Sequence, residues 1–287
     1  MCGIAGYITK NNVVDESVLW KMITSLKHRG PDSQDIWVSD DKKIGLAHSR
    51  LSILDLSDNG NQPMKSFSGR YTIVFNGEIY NHIELRKKIH NEFSINSFKS
   101  TSDTETLLCC FEVYGLRKTL NILIGMFAFA LYDNKEKKFY IVRDRMGEKP
   151  LYYGWQNDYF FFGSELKAIK SNINFNPHKD FDALNNFFNY CYIPSPLSIY
   201  KNIKKLKPGS FLEIDIENGS SENYEYWNTE KIFLKNNNKF SGSFNDAVDK
   251  LDDLLIDSVR IQKLSDVPLG CFLSSGIDST LISSTLC

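Results

Sequence analysis

The chain has no long apolar run. Its longest, Ile122 to Tyr132, falls far short of the roughly 20 residues a membrane-spanning helix needs. No charged start followed by an apolar core opens the sequence, so neither an export signal nor a lipid-modified Cys2 is expected. Neither sign of charge dominates: Lys plus Arg number 34 and Asp plus Glu 35, for a net charge of −1. With no basic block, nucleic acid and anionic membranes are not expected partners. Cysteine is sparse as well. The six are Cys2, Cys109, Cys110, Cys191, Cys271 and Cys287. No pair has metal-ligand spacing and six make no disulfide scaffold, so no metal site is expected and a reducing cytoplasm is the expected location. What is present is a globular composition, 42% hydrophobic over 287 residues, enough for about two domains.

The patterning gives an order of elements. Cys2 to Ile8 reads as a strand, and Asp15 to Lys27 as a helix with Val18, Leu19, Met22, Ile23 and Leu26 on one stripe. His28-Arg29-Gly30-Pro31-Asp32 ends that helix. Ile44 to Ser49 and Tyr71 to Phe75 read as strands, and Tyr80 to Phe93 as a helix. Ser102-Asp103-Thr104-Glu105 has capping-box spacing and opens a helix to about Gly115. Gly125 to Asp133 is apolar on both faces, the mark of a strand between two layers. Asn134 to Lys137 turns the chain, and Lys138 to Arg143 and Tyr159 to Gly163 supply further strands. The sum is an α+β sandwich, two sheets with helices outside. Residues 217–243 are rich in Asn, Ser, Lys and Gly, a linker with an uneven strand or two. A helical stripe from Phe244 to Val259, an apolar strand Val267 to Leu273 and the turn Ser274 to Ser279 then open a parallel α/β sheet.

Four groups of residues carry chemistry. With the initiator methionine removed, Cys2 has a thiol and a free α-amine, a pairing suited to acyl transfer; on its own it also reads as a frayed terminus. Asn76-Gly77-Glu78 offers an amide and a backbone N–H to an oxyanion, or a hairpin turn. Arg50 is suited to clamping a carboxylate or to a surface ion pair, and Asp103 to holding an ammonium or favouring a helix dipole. Ser274 to Ser279 fits a nucleotide phosphate at a helix start, or is a plain turn. It is not a Walker loop.

Taken together and in order, Cys2-Gly3-Ile4, His28-Arg29-Gly30-Pro31-Asp32, Arg50-Leu51-Ser52-Ile53, Asn76-Gly77-Glu78-Ile79-Tyr80-Asn81, Gly125-Met126-Phe127-Ala128-Phe129 and Arg143-Asp144-Arg145 resemble the glutamine-hydrolysing asparagine synthetases. The run from Ser265-Asp266-Val267-Pro268 to Ser279 looks like the start of their ATP-pyrophosphatase domain. The resemblance implies a four-layer αββα N-terminal-nucleophile sandwich over residues 2–210, a linker over 211–242 and a truncated α/β adenine-nucleotide domain over 243–287. It implies Cys2, Asn76 and Gly77 as catalytic. Arg50, Leu51, Ser52, Ile53, Leu54, Asn76, Gly77, Glu78 and Asp103 would hold glutamine, and Leu273, Ser274, Ser275, Gly276, Asp278 and Ser279 would lie against ATP. The intact enzyme of that family turns ATP, aspartate and glutamine into asparagine, glutamate, AMP and pyrophosphate, with Mg²⁺ assisting.

The chain departs from the family in three ways: Ser275 stands where Gly is usual, Glu148 where an apolar residue is usual, and most of the synthetase domain is missing. The expectation is therefore an asparagine synthetase fragment limited to glutamine hydrolysis. The alternatives are a relative on the same two-domain plan acting on another carboxylate, or a non-catalytic remnant. Glutamine, ATP and aspartate are the expected small-molecule partners, and a homodimer stays open.

Overall fold

The structure is a computed structural model that describes residues 1–235 and 240–286. Residues 236–239, inside the expected linker, and Cys287 lie outside the described residues. Two six-stranded sheets face each other. The first holds β1 (Gly3–Thr9), β2 (Ser33–Val38), β3 (Ile44–Arg50), β8 (Tyr152–Gln156), β9 (Tyr159–Gly163) and β10 (Lys204–Lys205), in the order β10-β8-β9-β1-β3-β2. The second holds β4 (Met64–Lys65), β5 (Tyr71–Ile79), β6 (Gly125–Asp133), β7 (Lys138–Arg143), β11 (Ser210–Asp215) and β12 (Ser221–Glu225), in the order β12-β11-β7-β6-β5-β4. All pairings within them are antiparallel.

Strand alternation sorts the side chains into three cores. On β5, Tyr71, Ile73, Phe75 and Ile79 point outward, as do Phe127, Phe129 and Leu131 of β6. They pack against α2 (His82–Phe93) and α3 (Asp103–Ile122). The alternate residues Val74, Ala128, Ala130 and Tyr132 point inward and meet Ile4, Ile8, Ile44, Leu46 and Phe162 of the facing sheet. On the far side, Ala5, Tyr7, Ala47 and Phe161 pack against α1 (Glu16–Thr24) and α4 (Leu166–Lys170). The result is the expected αββα sandwich. The strand Gly125 to Asp133 is covered on both faces, as its two-sided apolar pattern requires.

The sheets also correct the sequence reading. β5 continues through Asn76-Gly77-Glu78 to Ile79 and pairs with Gly125–Phe129, so those residues form no hairpin turn. The second sheet continues past residue 210: β11 occupies the start of the expected linker, and β12 is a strand of the kind expected within 217–243. Helix α3 runs to Ile122, across a break at Gly115 (φ 73°, ψ 168°). A glycine there lets the chain turn back on itself without a Cβ penalty. α5 (Phe181–Tyr190) and α6 (Thr229–Lys235) follow, then α7 (Phe244–Gln262), which begins with a capping box between Ser243 and Asp246, and α8 (Ile277–Leu286). Val267 to Leu273 is irregular and largely exposed, not the strand expected, and Phe272 is 100% exposed. A parallel strand is stabilised by neighbours on both edges, and no strand pairs with this segment among the described residues.

Phe129 is fully buried and lies within 5.6 to 6.5 Å of the rings of Phe111, Phe127 and Phe75. Phe129→Ala is expected to cost ~3–5 kcal/mol, read as a lower urea midpoint with an unchanged slope.

Candidate active site

The inward-facing set of each strand ends in polar residues at one end of the sandwich. Ile4 and Ile8 face inward on β1, so Cys2, two residues before Ile4, shares their direction. Ile44 and Leu46 face inward on β3, and so does Arg50. Because Gly3 pairs with Ser49, Cys2 and Arg50 fall side by side. On β5 the inward set continues from Val74 to Asn76 and Glu78. Opposite Glu78, Met126 of β6 follows the same period. A cavity of about 260 Å³ opens here, lined by Met1, Cys2, Arg50, Leu51, Ile53, Leu54, Asn76, Gly77, Glu78, Met126 and Asp103 among others. Every residue expected to hold glutamine lines it except Ser52, whose amide instead donates to Asp32 at 2.8 Å.

Cys2 is held by two residues, Leu51 and Arg29. The Leu51 N–H donates to its Sγ at 3.4 Å, and the Sγ lies 3.6 Å from the Leu51 carbonyl oxygen. Arg29 Nε donates to its carbonyl oxygen at 3.0 Å, while Arg29 Nη1 bonds Glu165 at 3.0 Å. His28 and Lys167 also reach Glu165. Burial works against ionisation of Glu165, but bonds from His28, Arg29 and Lys167 outweigh it and hold the carboxyl at about 2. Burial pushes the Cys2 thiol up, partly offset by the Leu51 bond, so the resting group is the thiol. Burial also lowers the amine of Met1, at the cavity mouth.

The wall opposite is a strand edge. The Phe75 N–H donates to Gln62 Oε1 at 2.6 Å and the Ile79 N–H to Asp103 Oδ2 at 2.8 Å. By the two-residue period the Gly77 N–H lies on the same edge, between them, facing the cavity. Gly77 has no room for a side chain: a Cβ would meet the Met126 carbonyl oxygen at 2.2 Å. Asn76 is fully buried, and among the described residues both its amide atoms and Glu78 Oε1 have no hydrogen-bond partner. Unpaired buried polar atoms are costly, and here they point at the same space. His48 spans the two sheets, its Nε2 3.1 Å from the Phe75 carbonyl oxygen. A carbonyl only accepts, so Nε2 carries the proton, and burial holds the ring neutral with its pKa lowered to about 3.

The cavity is lined by groups of both charge signs. Arg50 donates to the Ser57 carbonyl and Asn61 Oδ1, both at 2.8 Å, and to the Asp55 carbonyl. A guanidinium has five N–H donors, so two remain for a ligand. Gly60 makes room for it, since a Cβ there would sit 2.1 Å from Arg50 Nη2. Lys149, buried and a lining residue, is the second cation. It is presented by a loop whose Met146, Glu148 and Lys149 amides all bond the Asp144 carboxylate at 3.0 Å. Glu78 and Asp103 are the two carboxyls. Burial lifts Glu78 to about 7, with the Asp103 charge adding and Lys149 opposing. Burial lifts Asp103 to about 6 against the Ile79 and Thr104 bonds. Arg29, Gln62 and Lys149 are among the site residues without an expected role. The signal for two of them was present, in His28-Arg29-Gly30-Pro31-Asp32 and in the residues just after Arg143-Asp144-Arg145.

The residues expected against ATP are grouped elsewhere. Ser274 and Ser279 hydroxyls lie 2.7 Å apart, Gly276 N–H donates to Ser274 Oγ at 3.2 Å, and α8 starts at Ile277. Leu273, Ser274, Ser275, Gly276 and Asp278 are exposed. The Ser274, Gly276 and Ser279 groups are bonded to one another, and none of these residues lines the cavity around Cys2. Among the described residues no group of His, Cys, Asp and Glu could hold a metal ion, and no helix is long and apolar enough to cross a membrane.

An αββα sandwich of two facing antiparallel sheets, with a thiol just before its first strand, has the N-terminal-nucleophile hydrolase-like fold. The fold matches glutamine phosphoribosylpyrophosphate amidotransferase from Bacillus subtilis with a TM-score of 0.58 at 20% identity, over 78% of this chain and 49% of that one. The glutamine amidotransferase domain family matches residues 1–227 and the asparagine synthase family residues 250–286. The chain belongs to the asparagine synthetase family, with a class II glutamine amidotransferase domain followed by the short start of an asparagine synthase domain. It is 36% identical to asparagine synthetase [glutamine-hydrolyzing] 1 of Bacillus subtilis, over 99% of this chain and 43% of that protein. It is 32% identical to amidase chry2 of Gibberella zeae, over 99% of this chain and 42% of that protein. The chain spans about half the length of the curated relatives it matches.

The raised carboxyls give a signed expectation. Between the ordinary carboxylate values of 3.8 and 4.5 and the folded values of about 6 and about 7, the folded chain holds protons the unfolded chain has released. Their contribution to stability is complete below that window and is lost as pH rises through it. Glu78→Gln is expected to flatten the fall in urea midpoint between about pH 5 and pH 7.5. A parallel fall in both proteins would refute the raised value.

Proposed function

We propose that the cavity binds glutamine and that Cys2 hydrolyses its side-chain amide. The carrying observation is that the thiol shares one cavity with Arg50, Glu78 and Asp103, and that Asn76 and Glu78 atoms without a partner among the described residues line it too. Arg50 suits the α-carboxylate with its two remaining donors. Glu78 and Asp103 suit the α-ammonium, which by its own charge draws both carboxyls into the ionised form. The amide is then directed toward Cys2, with Asn76 Nδ2 and the Gly77 N–H on the side where its oxygen becomes negative.

With Met1 removed, the backbone nitrogen of Cys2 becomes an amine able to take the thiol proton, directly or through one water. The sulfur attacks the amide carbon, and the carbonyl π pair moves to the oxygen. On collapse the C–N bond breaks and the nitrogen departs as ammonia, carrying the proton from the amine. Water then cleaves the thioester to glutamate and restores the thiol.

For the whole protein we propose transfer of that ammonia to an acceptor carboxylate activated by ATP, with aspartate as the acceptor the family supports. The Ser274–Ser279 turn supports binding of a phosphate. The described residues do not form the rest of a nucleotide site, so no step through ATP or Mg²⁺ is assigned to them.

The test is release of glutamate and ammonia from glutamine. Cys2→Ala is expected to abolish it, and equal rates in parent and variant would remove Cys2 from the chemistry. Gly60→Ala displaces Arg50 and is expected to raise KM for glutamine about tenfold or more with a smaller change in kcat. Because binding draws protons off Glu78 and Asp103, glutamine affinity is expected to rise with pH between about 5.5 and 7.5. Calorimetry in buffers of different ionisation enthalpy should register proton release on binding.

A further inference from the structure

One residue from the C-terminal segment grips the cavity wall. The Asp266 carboxylate accepts from the Asp55 N–H at 2.7 Å, and the Asp266 N–H donates to the Ile53 carbonyl at 2.9 Å. The two-point contact joins positions 211 residues apart in sequence. Asp266 is itself braced, since Ser265 Oγ accepts from the Val267 N–H at 3.2 Å and donates to the Val267 carbonyl at 2.9 Å.

The gripped turn is under constraint. Asp55 adopts φ 55°, the left-handed region. A non-glycine residue stays there when its surroundings hold it. Its buried carboxylate accepts from Thr101 N–H at 2.8 Å and Ser57 N–H at 3.0 Å. Its carbonyl accepts from Arg50, and its neighbours Ile53 and Leu54 line the cavity. The amide of Asp55 is therefore tied to Asp266 and its carbonyl to the guanidinium.

We infer that Asp266 is a positioning residue for the amino-acid cavity: it holds the Ile53–Asp55 turn, and through the Asp55 carbonyl the Arg50 guanidinium, in the geometry that receives a ligand carboxylate. The inference rests on the glutamine reading of that cavity. Asp266 lies between α7 and the Ser274–Ser279 turn, so a displacement of that segment is felt at Arg50. Nothing in the inference requires Asp266 to touch the substrate.

The experiment compares Asp266→Ala and Asp266→Asn in the full chain. In Asp266→Ala, KM for glutamine is expected to rise about five- to tenfold while kcat changes less than about twofold. Asp266→Asn retains an oxygen that accepts the Asp55 amide, so its KM stays near that of the parent. Without substrate, exchange of the Asp55 amide hydrogen is expected to speed up about tenfold in Asp266→Ala alone. An unchanged KM overturns the inference whatever the exchange shows. So does an equal fall in kcat and melting temperature in both variants, which would make the role purely structural. If the parent chain hydrolyses no glutamine, the functional reading falls separately. Faster Asp55 exchange with a shifted Arg50 Nε resonance then upholds the tie, and unchanged signals overturn it.

Discussion

Side-chain alternation across two facing sheets is the constraint from which the site follows. Each strand sends every second residue into the gap between the sheets. Along most of its length that gap is filled by Ile, Leu, Phe and small Ala residues. At one end the same alternation delivers Cys2, Arg50, Asn76 and Glu78 in place of apolar groups. The core and the cavity are thus consecutive stretches of one layer. The rigidity of the packed stretch is lent to the polar one, which suits a site that must hold its donors in place before a ligand arrives.

A second level of the structure fixes the strand ends. Arg29 binds the Cys2 carbonyl, Asp103 and Gln62 cap the free edge of β5, and Asp144 gathers the loop that presents Lys149. These are charged or amide groups bonded to backbone, so they fix geometry at positions where the sheet ladder has run out. The motifs that make the family recognisable divide along this line. Cys2 and Asn76-Gly77-Glu78 face the cavity, while His28-Arg29-Gly30-Pro31-Asp32 and Arg143-Asp144-Arg145 hold the frame around it.

Much of this was legible in the sequence. The two-sided apolar pattern of Gly125 to Asp133 announced a strand between layers, and the stripe Val18 to Leu26 announced α1. β2 and β8 were missed because Ser33–Val38 and Tyr152–Gln156 mix polar and aromatic residues without clear alternation. Asn76-Gly77 resembled a turn because local propensity ignores the nine-residue ladder with β6. Val267 to Leu273 has strand composition, yet a strand is a property of its neighbours as much as of its residues. The contact between Asp55 and Asp266 was out of reach, since it depends on tertiary placement alone.

The buried imidazole of His48 sets an acid limit on the sandwich. Its ordinary value is 6.5 and its folded value about 3, so acidification protonates it in the unfolded chain first and favours unfolding. The carboxyls of Glu78 and Asp103 titrate in the opposite sense over the upper part of that range, from about 7 and about 6 toward 4.5 and 3.8. The two tendencies offset one another in mildly acidic solution. Below the ordinary carboxylate range nothing offsets His48, and Glu165, held at about 2 by His28, Arg29 and Lys167, loses its own stabilisation there, so acid loosens both the seam between the sheets and the brace behind Cys2.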